Sequence, residues 1–351
     1  MKAALLHAPR DIRLADIPDR EPGPGEVVLE VAAVGICGSD LHTYMLGNIG
    51  GIAPEAPLAL GHEASGVIVA LGPGVDRERY RVGQLVAIDP AVHCGACEFC
   101  EAGQPHLCTR LKFIGLWPFQ GALSERFVHE ARACVPLPAG ISPIAAAMLE
   151  PLGVALHAAR LAQVQIGEDV LVIGCGAIGL LAIRLARLAG ARRIIAVDQY
   201  GPRRTHAAGY GADVVIDPAL HDPVDEVMRL TGGRGVDVAI EAAWVDQTAA
   251  QCVEAARHGG RVIVVGIPAE DVLSVRASAA RRKEIAILYS RRMKHTYPAS
   301  IALAAGGQVD LETLATHRFP LEQTGAAFEL AARYADGVVR AIVIPASGGL
   351  V

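Results

Sequence analysis

A chain of 351 residues, 52% hydrophobic and 20% charged, has ample material for two packed domains, which excludes a disordered protein. A net charge of −5 with no basic block, and only 4% aromatic residues, argue against nucleic acid or an anionic membrane as partner. The start, MKAALLHAPRDIRLADI, has no apolar leader core, so a cytoplasmic chain is expected. Its eight cysteines, four of them between Cys94 and Cys108, then read as metal ligands before disulfides.

Up to about residue 150 the chain reads as short strands, Val27–Val34, Gly66–Ala70, Leu85–Ile88 and Phe127–His129, separated by Gly/Pro turns such as EPGPGE and LGPGVD. This pattern predicts a small, largely antiparallel β domain. The uncharged run from Ala133 to Leu149 carries Pro136, Pro138 and Pro143 and is a poor membrane helix, so no membrane partner is expected. Beyond residue 165, apolar strands alternate with amphipathic helices. Strands are predicted at 170–174, 193–198, 213–217, 236–243 and 260–266, with EIAILYS at 284–290 as a further one. Alternation of this kind implies a parallel, doubly wound sheet. Helices near 297–306 and 321–334 and a strand over Val338–Ile344 form a segment too short to fold alone, which is expected to return to the first domain.

Gly174-Cys175-Gly176-Ala177-Ile178-Gly179 follows a strand and opens a helix. Glycines there permit a tight turn and close approach of a pyrophosphate, and the helix N-terminus offers free N–H groups to it. Asp198 ends the next strand, where a carboxylate accepts hydrogen bonds from an adenosine ribose diol and repels a 2′-phosphate. NAD is therefore the expected coenzyme. Arg203 and Arg204 keep NADP open, since an arginine in this loop can hold a phosphate. Gly266 and Ile267, after the strand GRVIVVG, and Tyr289, in EIAILYS, are further candidates for coenzyme contact.

The spacing Cys94-x2-Cys97-x2-Cys100-x7-Cys108 suits four thiolates around one structural zinc, in a lobe over about 93–110. An iron–sulfur cluster is the rival, but the bacterial run continues x3-C-P, which this one does not. A second, open site is suggested by Cys37 in GICGSDLH, His62 and Glu63 in GHE, and Glu150 in LEPLGVALHA. Their spacing alone leaves simple packing roles open.

Taken together, GICGSDLH, GHEASGVIVALG, HCGACEFCEAGQPHLC and VLVIGCGAIG resemble the zinc-dependent medium-chain dehydrogenase family along essentially the whole chain. MLEPLGVALHA and the tail TYPASIALAAGGQVDLETLATHRFPLE are most similar to its polyol (sorbitol/xylitol) branch. The resemblance implies a fold: a GroES-like, mainly antiparallel β catalytic domain over 1–153 and 291–351, and a Rossmann NAD-binding domain over 154–290. It implies two zinc ions per chain, one catalytic and one structural. Cys37 and His62 become catalytic-zinc ligands, with Glu63 and Glu150 binding directly or through water. Ser39 becomes the hydroxyl that contacts the substrate alcohol, and His42 passes its proton onward at the surface. Arg292 aligns with an arginine near the substrate, and Trp117 is a candidate pocket residue that serves equally as a packed loop aromatic.

The implied reaction is reversible oxidation of a secondary alcohol, a polyol or sugar alcohol, to a ketone with hydride transfer to NAD. Threonine, butanediol or simple alcohol dehydrogenases are the alternatives, followed by a non-enzymatic relative. Met293 and Thr43 stand where the polyol branch has aromatics, and both departures fall on the substrate side. The resemblance also implies a homotetramer or dimer, with EIAILYS as an edge strand able to pair between subunits.

Overall fold

The computed structural model describes residues 1–345 apart from Trp244 and Asp271. The chain divides into two units, Met1–Glu150 with Tyr297–Val351, and Pro151–Thr296. These boundaries lie a few residues from the expected 153/154 and 290/291.

In the first unit, Glu26–Gly35 is the central strand of a seven-stranded sheet. It pairs antiparallel with Glu63–Leu71, and along its first half with Arg126–Glu130. Leu85–Ile88 and Cys134–Pro136 extend the sheet on one side. On the other side Ala341–Ile344 pairs with Val34 and Gly35, so the tail does close back on this unit. The sheet is not wholly antiparallel, because His317–Pro320 runs parallel to Ala341–Ile344. Among the elements not expected are two strands and a helix. Lys2–Ala8 and Asp11–Asp16 form a hairpin, hidden because KAALLHA lacks a polar alternation. Gly38–Leu46 is a helix whose first turn holds the acid Asp40.

The second unit is built on a parallel six-stranded sheet. Its spatial order is Val214–Ile216, Arg193–Val197, Asp169–Ile173, Val236–Glu241, Ala256–Val264, Ala286–Tyr289. The near-continuous apolar strands are what a sheet covered on both faces requires, and Leu171, Ile195 and Val262 are fully buried. The order reverses between Asp169–Ile173 and Val236–Glu241, which face each other at Ile173 and Glu241. In open sheets of this kind ligands bind outside the carboxyl ends of the strands at that reversal.

Candidate active site and metal centres

Cys37 caps the helix Gly38–Leu46, and its backbone N–H donates to Asp40 Oδ2 at 3.0 Å. The other Asp40 oxygen lies 3.3 Å from His62 Nδ1 and accepts from the Gly61 N–H at 3.4 Å. Asp40 thereby fixes the His62 ring and leaves Nε2 facing Ser39 Oγ, 3.4 Å away. Burial alone would lower the His62 pKa, but the carboxylate of Asp40 and the Cys37 sulfur outweigh it and raise it well above the ordinary value.

Ligand atoms of Cys37, His62 and Glu63 all lie within 4.8 Å of one another. Glu63 begins the strand after His62 and is fully buried. Its Oε1 lies 3.0 Å from Arg340, an ion pair rather than an aligned hydrogen bond, while Oε2 is buried with no hydrogen-bond partner among the described residues. Arg340 also donates to the Ile36 carbonyl at 2.6 Å. Gly35 packs against this pair, and a Cβ there would sit 2.4 Å from Glu63 Oε2 and push the carboxylate aside.

Glu150 is buried nearby, and burial pushes its pKa up to about 8, with His62 pulling down and Glu63 and Asp89 pushing up. It is not part of the mutually close group of ligand atoms. His42 lies on the same helix as Ser39 but is only 4% exposed, so the expected position at the surface is corrected: the helix packs that face inward. Trp117 is half-buried. Arg292 lies in the second unit, in left-handed backbone at φ 55°. There Met293 meets Gly153, where a Cβ would be 2.6 Å from its sulfur.

The four thiols of Cys94, Cys97, Cys100 and Cys108 also converge within 4.8 Å, all free of disulfides. Cys94 and Cys100 sulfurs are 3.9 Å apart, and Cys97 and Cys100 sulfurs 3.5 Å. Ligands at about 2.3 Å in a tetrahedron stand about 3.8 Å apart, so the set matches one zinc. The Ala96 N–H, then neighbouring thiols and Arg110, bring the Cys94 thiol down to about 6.

In the second unit Gly174 has φ 94°, and a Cβ on it would strike the Ala242 carbonyl at 2.6 Å. Gly176 caps the helix Ala177–Leu188, whose first turn contains Ile178 and Gly179. Asp198 accepts from the N–H groups of Cys175 at 2.7 Å and Tyr200 at 2.8 Å. Arg204 is engaged with Asp217 at 2.5 Å and with the Asp198 carbonyl, while Arg203 lies over the Tyr200 ring. Gly266 donates to Glu241, and Ile267 and Tyr289 are exposed, Tyr289 by 67%.

Two site residues were missed from sequence. Asp40 lies inside GICGSDLH, where an acid in the first turn of a helix is a usable signal. Arg340 interrupts the apolar run VVRAIVI, where a charge needs a buried partner.

Residues 23–139 match the alcohol dehydrogenase GroES-like domain and residues 177–306 the zinc-binding dehydrogenase domain. The chain is 36% identical over 345 residues to a sorbitol dehydrogenase of Bacillus subtilis (strain 168), covering 98% of this chain and 97% of that one. The chain belongs to the zinc-dependent medium-chain dehydrogenase family. Among solved members it is similar to 2R,3R-butanediol dehydrogenase from Bacillus subtilis, at TM-score 0.88 and 31% identity over 98% of this chain and 99% of that one. It is also similar to a solved structure described as a short chain alcohol dehydrogenase from Escherichia coli CFT073 complexed with NADH, at TM-score 0.88 and 29% identity, again over 98% and 99%. Membership in this family makes the protein an oxidoreductase. Among the described residues no helix is long and apolar enough to cross a membrane.

Proposed function

We propose that this protein oxidises a secondary alcohol of a polyol or sugar alcohol to a ketone, reversibly, with zinc in its catalytic unit and NAD as coenzyme. The observation that carries this reading is the convergence of Cys37, His62 and Glu63, with Ser39 beside His62. The donor set fits zinc: one thiolate, one imidazole and one carboxylate, with the buried, unpartnered Glu63 Oε2 as the orphan atom that a cation satisfies. Zinc held there supplies Lewis acidity that favours loss of the alcohol proton.

The chain's own part is to hold the ligands and carry that proton. Asp40 keeps His62 oriented, and Arg340 holds Glu63 in place. Ser39 accepts the alcohol proton, and His42, on the same helix, is assigned to relay it onward. Glu150 sits near enough to sense the site's charges and serves as a further acid there, directly or through water. Arg292 and Trp117 are assigned to the substrate side. The four-cysteine lobe takes the second, structural zinc; its spacing disfavours an iron–sulfur cluster.

NAD is favoured over NADP because Asp198 faces the coenzyme turn while Arg204 is already engaged by Asp217. Gly174, Gly176, Ala177, Ile178 and Gly179 form the turn for the pyrophosphate, and Arg203, Gly266, Ile267 and Tyr289 are further coenzyme contacts. The sorbitol dehydrogenase likeness supports a polyol; the butanediol dehydrogenase likeness supports the second reading, a short diol. A dimer or tetramer through the exposed edge strand Ala286–Tyr289, in the cytoplasm, completes the proposal. A panel of polyols, diols and L-threonine, assayed by NADH absorbance with zinc counted per chain, tests it. Turnover confined to polyols is expected, and no turnover of any secondary alcohol sinks the reading.

A further inference from the structure

Glu241 is the last residue of the strand Val236–Glu241 and is 1% exposed. Among the described residues no cation pairs with it, and burial raises its pKa. A buried carboxylate without a counter-charge is costly and needs donors on both oxygens. It has them. Oε1 accepts from the Ala243 N–H at 2.9 Å and the Thr248 hydroxyl at 2.7 Å, and Oε2 from the Gly266 N–H at 3.1 Å. Its backbone carbonyl accepts from Val265 at 2.8 Å.

These bonds join two chain exits, the turn after Glu241 and the turn after Val264. A Cβ on Gly174 would lie 2.6 Å from the Ala242 carbonyl, and one on Gly266 would lie 2.0 Å from the Ala243 carbonyl. The coenzyme turn, residues 242–243 and residues 265–266 are thus one close-packed cluster with the Glu241 carboxylate inside it. Glu241 also stands at the point where the strand order reverses, opposite Ile173. The three strands on the Asp198 side form one mononucleotide half, and the three beginning at Val236 form the other.

We infer that Glu241 is a positioning residue for the nicotinamide half of the coenzyme, an inference that rests on the NAD reading above. Its carboxylate sets the spacing of the two exits on which that half lies, and it leaves the adenosine half, governed by Asp198, untouched.

The test uses the zinc-loaded full chain without alcohol, titrated with NADH by fluorescence and with AMP by calorimetry. Glu241→Gln keeps one acceptor oxygen but turns an NH2 toward a backbone donor. It is expected to raise the NADH Kd tenfold or more and leave the AMP Kd within twofold. Should Glu241→Gln not yield folded protein, Thr248→Val, which removes one donor, decides instead, with a threefold or larger rise for NADH and none for AMP. An unchanged NADH Kd in the deciding variant overturns the inference. So does an equal loss of NADH and AMP, the mark of a merely structural role. Wild-type protein that binds neither ligand overturns the coenzyme reading, and this inference with it.

Discussion

Arg340 and Glu63 form a buried ion pair at 3.0 Å, with side chains 8% and 1% exposed, at the edge of the Cys37 and His62 cluster. Removing one partner leaves the other charge buried alone, which costs about 3–5 kcal/mol. Arg340→Met should therefore lower stability by that order and weaken zinc retention. Adding Glu63→Gln should restore much of the stability but not the turnover. Denaturation and metal analysis of the two variants check this. Full turnover in Arg340→Met would show that the pair does not serve the site.

The structural lobe should respond differently. Cys97→Ala removes one of four converging thiols and should cost one zinc per chain and several degrees in Tm, with activity falling as the fold loosens. Thermal melting with zinc analysis measures both. A Cys97→Ala protein of ordinary Tm and full zinc content contradicts the lobe assignment.

Asp198 holds the Cys175 and Tyr200 N–H groups while presenting its carboxylate at the coenzyme turn. Losing charged hydrogen bonds of about 1.5–3 kcal/mol predicts that Asp198→Ala lowers kcat/KM with NAD by tenfold or more. The ratio of NADP to NAD activity should rise at the same time, since the repulsion of a 2′-phosphate is gone. A ratio unmoved in steady-state assays with both coenzymes would place the preference elsewhere.

These residues differ in how far the sequence discloses them. The glycine turn and the cysteine lobe are legible because each is local: spacing along a few residues dictates geometry, as the φ of Gly174 and the converging sulfurs bear out. Arg340 and Glu63 meet only because the tail strand returns beside Gly35, a pairing that periodicity cannot specify. Asp40 carries a local signal too, an acid three residues after a helix-capping position, but its pairing with His62 is set by the fold. The burial of His42 follows from the helix Gly38–Leu46, whose apolar face was not predicted.

The second unit carries its own pH signature at the opposite end of its sheet. Burial would raise the Asp237 pKa, but hydrogen bonds from Arg234 and Arg257 outweigh it and hold the carboxyl well below its ordinary 3.8. A carboxylate depressed by folding contributes stability above its unfolded pKa and loses it as pH falls toward the folded one. The Tm gap between wild type and Asp237→Asn should thus be constant above about pH 5 and narrow below about pH 4. A gap that stays constant down to pH 3 would mean that the arginines do not stabilise the ionised form.

The most direct measurement pairs metal content with turnover in Cys37→Ser. The wild-type chain should carry two zinc ions and reduce NAD with a polyol. Cys37→Ser should keep the lobe zinc and NADH binding while turnover falls by about a thousandfold or more, the loss of several kcal/mol of metal stabilisation. A Cys37→Ser enzyme that turns over at the wild-type rate would contradict a catalytic zinc at Cys37, His62 and Glu63.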